Sequence, residues 1–570
     1  MSLRTSDKAG ELIPKSGTVA HLSPAVEREA IPTGGGVTNP SASTKAFTTT
    51  ADYWILASLL SVAGAAALWL FYGRNEILLS GDAVAHINIA RRVFDSRTPG
   101  PSQLGTVWLP LPHLLTIPFI ITRRMWQSGI GGSLISVIAY VVAGIGLFRL
   151  LSPWSRLAAW IGTLIFAANP NLLYVQATAL NEPLYLACFI WSAVFFVEAW
   201  RSLRRGEVTG SAWLEKGAMA LMAAIFTRYD GWFLACLCWT AITPTAVQGM
   251  RSMSDADAAA LRKSVCKAIL LTALGPTLWL AYNFGAKGNA LDFANGPYSA
   301  KAIAQRTTDE GAPPYPGERH PFTAGVYFAK AAQLNVGESL AAKLLFLIAA
   351  LASLVTAARR DWLPVVLLWS PLLFYALSIA YGSVPIFLPV WWPFSYYNVR
   401  YGLELLPAIA AGVGLSTVAL SKLWRSRRAM FLIPCLLSLL TLSCYVAAWR
   451  AIPICLREVR TNGYPRLQLD RNVAKLLASL PRQSTILAYT GGHSGAFEMA
   501  GVPLRRSINE GTFVVWDGAL NSPAKAADYI LAWDGDPVAI SVTAHPEGLT
   551  PLANTRVEGQ PRAVLYKSTL

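Results

Sequence analysis

Residues 78–94, LLSGDAVAHINIARRVF, place Asp82, His86, Arg91 and Arg92 within eleven positions. An acid and an imidazole four residues apart share one face of a helix. A carboxylate so placed can take a proton from an attacking nucleophile or orient a metal ion. Ser80 predicts an N-cap for a helix beginning near Gly81, which puts Asp82 in the first turn, where the helix amino terminus favours its negative charge. Val84, Ile87 and Phe94 form a separate apolar surface suited to lying along a bilayer. The plainer readings are a capping or surface carboxylate for Asp82 and an interfacial histidine for His86.

Three further stretches set charge where the chain is otherwise apolar. QATALNEPLYL carries Glu182, AIFTRYDGWFL carries Arg228, Tyr229 and Asp230, and NVRYGLELLPA carries Arg400, Tyr401 and Glu404. Charge near hydrocarbon is costly unless it is paired, hydrated or set in a cavity, so each position is a functional candidate. The guanidinium fork of Arg400 matches a phosphate group, although the residue could equally anchor a helix. Arg228 and Asp230 could equally form a structural pair.

The elements that must position these residues follow from composition. The chain has 570 residues, 54% hydrophobic and only 14% charged, with 20 Trp. Soluble domains carry roughly 25% charged residues, so the composition points to a polytopic membrane protein. Eleven spans are expected near 52–72, 130–150, 157–175, 183–200, 216–228, 231–248, 268–284, 341–358, 362–381, 402–420 and 429–449. Lys and Arg concentrate in alternate connections, including Arg201, Arg204, Arg205, Arg359 and Arg360, while 176–182 and 382–399 contain neither. By the positive-inside rule this puts the amino terminus in the cytoplasm and the carboxyl terminus outside. The net charge of +16 is dispersed among these connections, which speaks against a nucleic-acid partner.

Three regions divide the chain. Residues 1–50, rich in Gly, Ser and Thr, read as a disordered cytoplasmic leader. Residues 51–450 form the membrane domain, with long outer loops at 73–128 and 285–340. Residues 451–570 read as a soluble extracytoplasmic α/β domain, with strands in STILAYT and AVLYKST and helices in RNVAKLLASL and PAKAADYILA. Six of the seven cysteines fall in or beside predicted spans and only Cys455 lies beyond the last, so no disulfide framework is indicated.

Taken together, GDAVAHINIARRVF, LNEPLYLACFI, TRYDGWFLA and NVRYGLELLPA resemble, in order and topology, the GT-C superfamily of multispanning glycosyltransferases. That superfamily includes protein O-mannosyltransferases, lipid A aminoarabinose transferases and oligosaccharyltransferase catalytic subunits. The resemblance covers roughly residues 52–450 and implies a GT-C-like membrane fold. It implies transfer of a sugar from a polyprenyl-phosphate-linked donor to an acceptor hydroxyl at the extracytoplasmic face, with Asp82 as general base and Glu182 as second catalytic acid. Arg400, Arg228, Arg91 and Arg92 would bind the donor phosphate, while His86, Tyr229, Asp230, Tyr401 and His320 would position donor or acceptor. No cofactor is identified; Asp82, His86 and Glu182 are the candidate ligands of a divalent cation.

Two departures matter. A single acid stands in Gly81-Asp82-Ala83 where the mannosyltransferases commonly have two adjacent ones. The tail segments VVWDG and LAWDG lack the Trp-Trp-Asp signature of oligosaccharyltransferases. The expected partners are the lipid-linked donor, membrane lipids and a glycan, lipid or protein acceptor, in a bacterial inner membrane. The competing readings are a transporter or flippase of lipid-linked sugars, and a membrane scaffold with a carboxyl-terminal binding domain. Convergence of Asp82, Glu182 and Arg400 on an outward cavity favours the enzyme.

Overall fold

A helix satisfies its own backbone hydrogen bonds, which lets an apolar segment of about 18 residues or more cross hydrocarbon. The computed structural model describes residues 48–307, 313–423 and 427–570. Residues 1–47 of the expected leader, and 310–312 of the Pro/Gly-rich stretch in the second outer loop, lie outside the described residues. Helix α1 (Thr50–Gly73) leads to the loop helices α2 (Gly81–Arg92) and α3 (Leu111–Thr116). Then come α4 (Ile130–Leu151), α5 (Arg156–Ala167), α6 (Glu182–Arg204), α7 (Gly210–Ile225), α8 (Asp230–Ser252) and α9 (Asp255–Lys287). After the second loop follow α10 (Pro321–Val336), α11 (Leu340–Ala358), α12 (Trp362–Tyr381), a 3-10 segment (Val399–Leu405), α13 (Leu406–Leu423), α14 (Arg427–Arg450), α15 (Ile454–Ala478) and α16 (Ser494–Ala500).

Among the described residues nine helical runs are long and apolar enough to span a membrane. The two expected spans that fall short are α5 and α7, with 12 and 16 residues. Both are enclosed by protein, α5 between α4 and α13 and α7 between α6 and α9, so lipid does not set their length. Burial separates inner from outer spans: the apolar window of α6 is 72% buried and that of α9 only 22%. Trp54, Val62 and Trp69 of α1 are exposed while Leu56, Leu60 and Phe71 pack inward, giving a lipid face and a protein face.

Helix α2 begins as the sequence predicts, with the Ser80 hydroxyl accepting from Ala83 N–H. Its expected bilayer face is corrected. Val84 and Ile87 are buried, and only Phe94 is substantially exposed. The small residues explain this: a Cβ on Gly132 of α4 would meet the Ile87 side chain at 2.5 Å, and one on Gly495 of α16 would lie 3.3 Å from Val84. The helix is therefore wedged between α4 and the carboxyl-terminal region.

That region carries a five-stranded sheet of β1 (Ile486–Ala488), β2 (Ser507–Ile508), β3 (Tyr529–Trp533), β4 (Leu549–Thr555) and β5 (Ala563–Ser568), in the order β2-β1-β3-β5-β4. Strand β1 runs parallel to β2 and β3, pairing Leu487 with Ile508 and Ile530, and β5 is antiparallel to β3 and β4. The segment PAKAADYILA, expected as one helix, instead divides into a four-residue helix and strand β3. Asp528 makes the break. Its carboxylate accepts from the Thr485 backbone N–H (2.7 Å) and hydroxyl (2.9 Å), which commits the chain to β1 rather than to another helical turn. All seven cysteines are free thiols.

Two glycines permit the close approaches on which the loop segments depend. A Cβ on Gly402, in the 3-10 segment, would meet the α10 backbone of Ala331 and Ala332 at 2.5 and 2.6 Å, and one on Gly463 of α15 would collide with the carbonyl of Leu79. Backbone on the far side cannot yield as a flexible side chain would. Gly402→Ala and Gly463→Ala should each cost about 1–3 kcal/mol of stability by overpacking. Unfolding of the purified variants in detergent checks this, with Gly285→Ala, where a Cβ meets nothing within 4 Å, as the neutral control.

Candidate active site

Arg400 is the residue around which the charged groups assemble. It lies in the first turn of the 3-10 segment, whose Val399 carbonyl accepts from the Asn335 side chain (2.8 Å) and whose Val399 N–H donates to Glu458 Oε2 (3.1 Å). The backbone before the guanidinium is thus fixed from α10 on one side and α15 on the other. Arg400 Nε donates to Glu182 Oε1 at 2.9 Å, Nη2 pairs with Asp82 Oδ2, and Nη1 lies 4.0 Å from Glu458 Oε1. Its face lies over the Tyr401 ring at 5.2 Å.

Glu182 opens α6 and is buried. The same Oε1 also faces Arg228 Nη1 at 3.4 Å, while Oε2 has no hydrogen-bond partner. Arg228 is held in turn by Asp230 (3.1 Å), by Glu404 Oε1 (3.2 Å) and by a bond from Nη2 to the Tyr375 hydroxyl (2.7 Å). Tyr375 donates onward to Glu404 Oε1 at 2.7 Å. Asp82, Glu182, Arg228, Asp230, Arg400, Tyr401 and Glu404 therefore form one network drawn from four separated stretches. A largely buried guanidinium needs this many partners, since the desolvation of an unpaired charge would cost several kcal/mol. Asp82 differs from the rest: its side chain is 43% exposed, against 2% for Glu182.

The remaining candidates sit elsewhere. Arg91 is tied to Asp95 (2.9 Å) and to the carbonyls of Ile120 and Ile121, between the rings of Phe94 and Trp126. Arg92 pairs with Glu510 at 3.4 Å. Tyr229 donates to the Val107 carbonyl (2.8 Å), accepts from Trp279 Nε1 (3.1 Å) and stacks on Phe293, pinning the two outer loops together. His320 is exposed at the head of α10.

His86 does not turn toward Asp82. Its Nδ1 lies 2.8 Å from His113 Nε2, and its ring packs on Trp108. Burial first, then the charges of Arg400 and Arg228, push its pKa down to about 3, and burial holds His113 well below the ordinary imidazole range. The two neutral rings share one hydrogen bond that locks α2 to α3. The cation set proposed from Asp82, His86 and Glu182 is therefore not assembled. The Arg400 guanidinium stands between the two carboxylates, and among the described residues no three His, Cys, Asp or Glu side chains are placed to hold a metal ion.

Sequence reasoning missed Tyr375, Glu458 and His113. Glu458 is one of many charged residues on an amphipathic helix, and Tyr375 is one aromatic among many in a span. Only their register against distant partners distinguishes them.

No family model matches this sequence, and no curated protein matches it. Among solved structures the chain is similar to ArnT from Cupriavidus metallidurans bound to undecaprenyl phosphate, with 14% identity and a TM-score of 0.52, covering 91% of this chain and 98% of that one. The apo form of the same protein gives 15% identity, a TM-score of 0.52, and coverage of 91% and 99%. The Archaeoglobus fulgidus oligosaccharyltransferase in its apo form gives 10% identity and a TM-score of 0.44, covering 85% of this chain and 70% of that one.

The α2 helix that presents Asp82 is fixed at its other end by Asn88, which donates to Glu498 Oε2 (2.6 Å) and accepts from Trp126 Nε1 (3.0 Å). Burial raises the Glu498 pKa from 4.5 to about 8. An unfolded chain loses that proton near 4.5 and the folded one keeps it to about 8, so this group's stability contribution is full below 4.5 and is lost as pH rises through 8. Glu498→Gln should flatten the decline of unfolding temperature between pH 5 and 8 and be at least as stable as the parent at pH 8, read by unfolding in detergent across that range. The ArnT likeness spans nearly the whole of both chains, so this chain shares the fold of that protein.

Proposed function

We propose that this protein transfers a sugar from a polyprenyl-phosphate-linked donor to an acceptor hydroxyl at the extracytoplasmic face of the membrane, with Asp82 as general base. The observation that carries the reading is the convergence of Asp82, Glu182 and Arg400 from three distant segments onto one guanidinium, with Asp82 alone left half exposed. A fold shared with a protein crystallised with undecaprenyl phosphate agrees with a polyprenyl phosphate as the carrier.

The acceptor oxygen attacks the anomeric carbon as the carbon–oxygen bond to phosphate breaks, and the hydroxyl proton passes to Asp82. The leaving polyprenyl phosphate takes both electrons of the broken bond, and Arg400 neutralises the charge that develops there, an interaction strongest in the transition state. In the structure Arg400 is paired with Asp82. A phosphate that engages the guanidinium competes with this carboxylate and frees it as a base, so donor binding precedes activation of the acceptor. Glu182, anchored by Arg228 and with one oxygen unpartnered, positions Arg400 and accepts a hydrogen bond from a sugar hydroxyl. A scaffold would leave these charges apart or in isolated pairs. A transporter would set them along a central pathway between paired discontinuous helices.

Asp82→Asn keeps the shape and removes the base. It should retain donor binding and lower the transfer rate by roughly 10²–10⁴-fold, the range for loss of a general base. Arg400→Ala should weaken donor binding as well as turnover. An assay of the purified protein with a panel of polyprenyl-phosphate sugars, read by product mass, tests both; undiminished transfer by a folded Asp82→Asn variant defeats the assignment.

A further inference from the structure

A second polar site lies outside the Arg400 network, where the last span meets the carboxyl-terminal region. A cleft of about 90 Å³ opens between the start of α11 and the junction of α14 with α15, lined by Asn171, Glu338, Ser339, Ala447, Ala451 and Arg457 among others. Ala447 and Ala448 in the last turn of α14 and Ala451 just after it leave the space, because their side chains are small. Arg457 pairs through Nη2 with the exposed Glu338, while its Nε is buried without a hydrogen-bond partner. An unmatched guanidinium donor in a cleft is an unmet demand for an acceptor.

Its depth identifies the occupant. Leu340 and Leu344 on α11 and Leu439 and Leu442 on α14 are exposed apolar side chains on candidate spans beside the cleft, and the exposed Trp449 and Arg450 stand at the end of α14. Trp and Arg at a span end lie at headgroup level. We infer that this cleft binds the phosphate headgroup of an anionic membrane lipid, with Arg457 as its cation, Ser339 as a polar partner, and acyl chains running down the leucines of α11 and α14. Glu338 is the resident anion that the lipid phosphate displaces.

The site has a route to the Arg400 network. Arg457 is followed by Glu458, which accepts from Val399 N–H, and Asn171 of the cleft accepts from Cys455 N–H at 2.9 Å, so an occupied cleft stiffens the turn that holds the Arg400 backbone. Neither Glu338 nor Arg457 belongs to that network, so the test below does not depend on sugar transfer.

Full-length protein in neutral detergent, titrated with phosphatidylglycerol or phosphatidylcholine, is followed by its unfolding temperature. Phosphatidylglycerol should raise it saturably, and phosphatidylcholine should not. Arg457→Gln should abolish the rise. Glu338→Gln, which removes the competing carboxylate, should shift half-saturation to several-fold lower lipid. Equal responses to the two lipids, or a full response in Arg457→Gln, overturns the site; should that variant not fold, an unshifted half-saturation in Glu338→Gln does so. Inorganic phosphate alone should have no effect, and a rise as large as the lipid's overturns the lipid assignment in favour of a soluble anion.

Discussion

The structure depends on burying one guanidinium at the mouth of a helical bundle. Arg400 can occupy that position only if carboxylates arrive from outside its own segment, because an unpaired charge in low dielectric would shift or expel the local structure. Asp82 comes from the first outer loop, Glu182 from the start of α6 and Glu458 from the helix beyond the last span. The pairing closes the chain over more than 300 residues of sequence and gives the loop helices a fixed height relative to the spans. The same partners that stabilise the cation hold it beside Asp82, the one acid of the set that stays half exposed.

The second arginine has a different role. Arg228 is enclosed by Asp230, Glu404 and the Tyr375 hydroxyl, and it reaches the first cluster only through Glu182. It fixes the orientation of that carboxylate, as a bidentate fork can and a lysine could not. Two arginines of similar sequence context thus divide the work: one faces the exposed acid, the other supports the acid that both share. The small residues serve the same end. Gly402 and Gly463 bring the 3-10 segment and α15 against backbone, which sets the positions of Arg400 and of the Leu79 carbonyl ahead of α2.

Much of this was legible because membranes simplify the code. Apolar length marks the spans, and charges that interrupt an apolar context stand out, which is why Asp82, Glu182, Arg228, Asp230 and Arg400 could be singled out before any geometry was known. The N-cap at Ser80 was equally readable, since capping is local. What failed depended on partners far away in sequence. Val84 and Ile87 resemble a bilayer face until α4 and α16 cover them. The partners of Arg91 and Arg92, carbonyls and acids brought from elsewhere, are likewise not visible in the local sequence. The helix expected across PAKAADYILA gave way because Thr485, some forty residues earlier, captures Asp528. His86 shows the limit well: its spacing from Asp82 was correct, yet His113 and Trp108 decide which way the ring faces.

Helix α15 carries the argument furthest. One face packs into the strand-containing region, its Gly463 abuts the loop before α2, and its first turns present Arg457 and Glu458 in succession. Adjacent residues on a helix point about 100° apart, so one serves the lipid-side cleft and the other the Arg400 backbone. A helix is stiff over this length, and a force on its first turn is shared with the segment it supports. The carboxyl-terminal region is thereby more than a cap on the outer loops. Through α15 it meets the cleft at Arg457, the arginine turn at Glu458 and the loop before α2 at Gly463. A single stiff helix touching all three keeps these parts in register with one another.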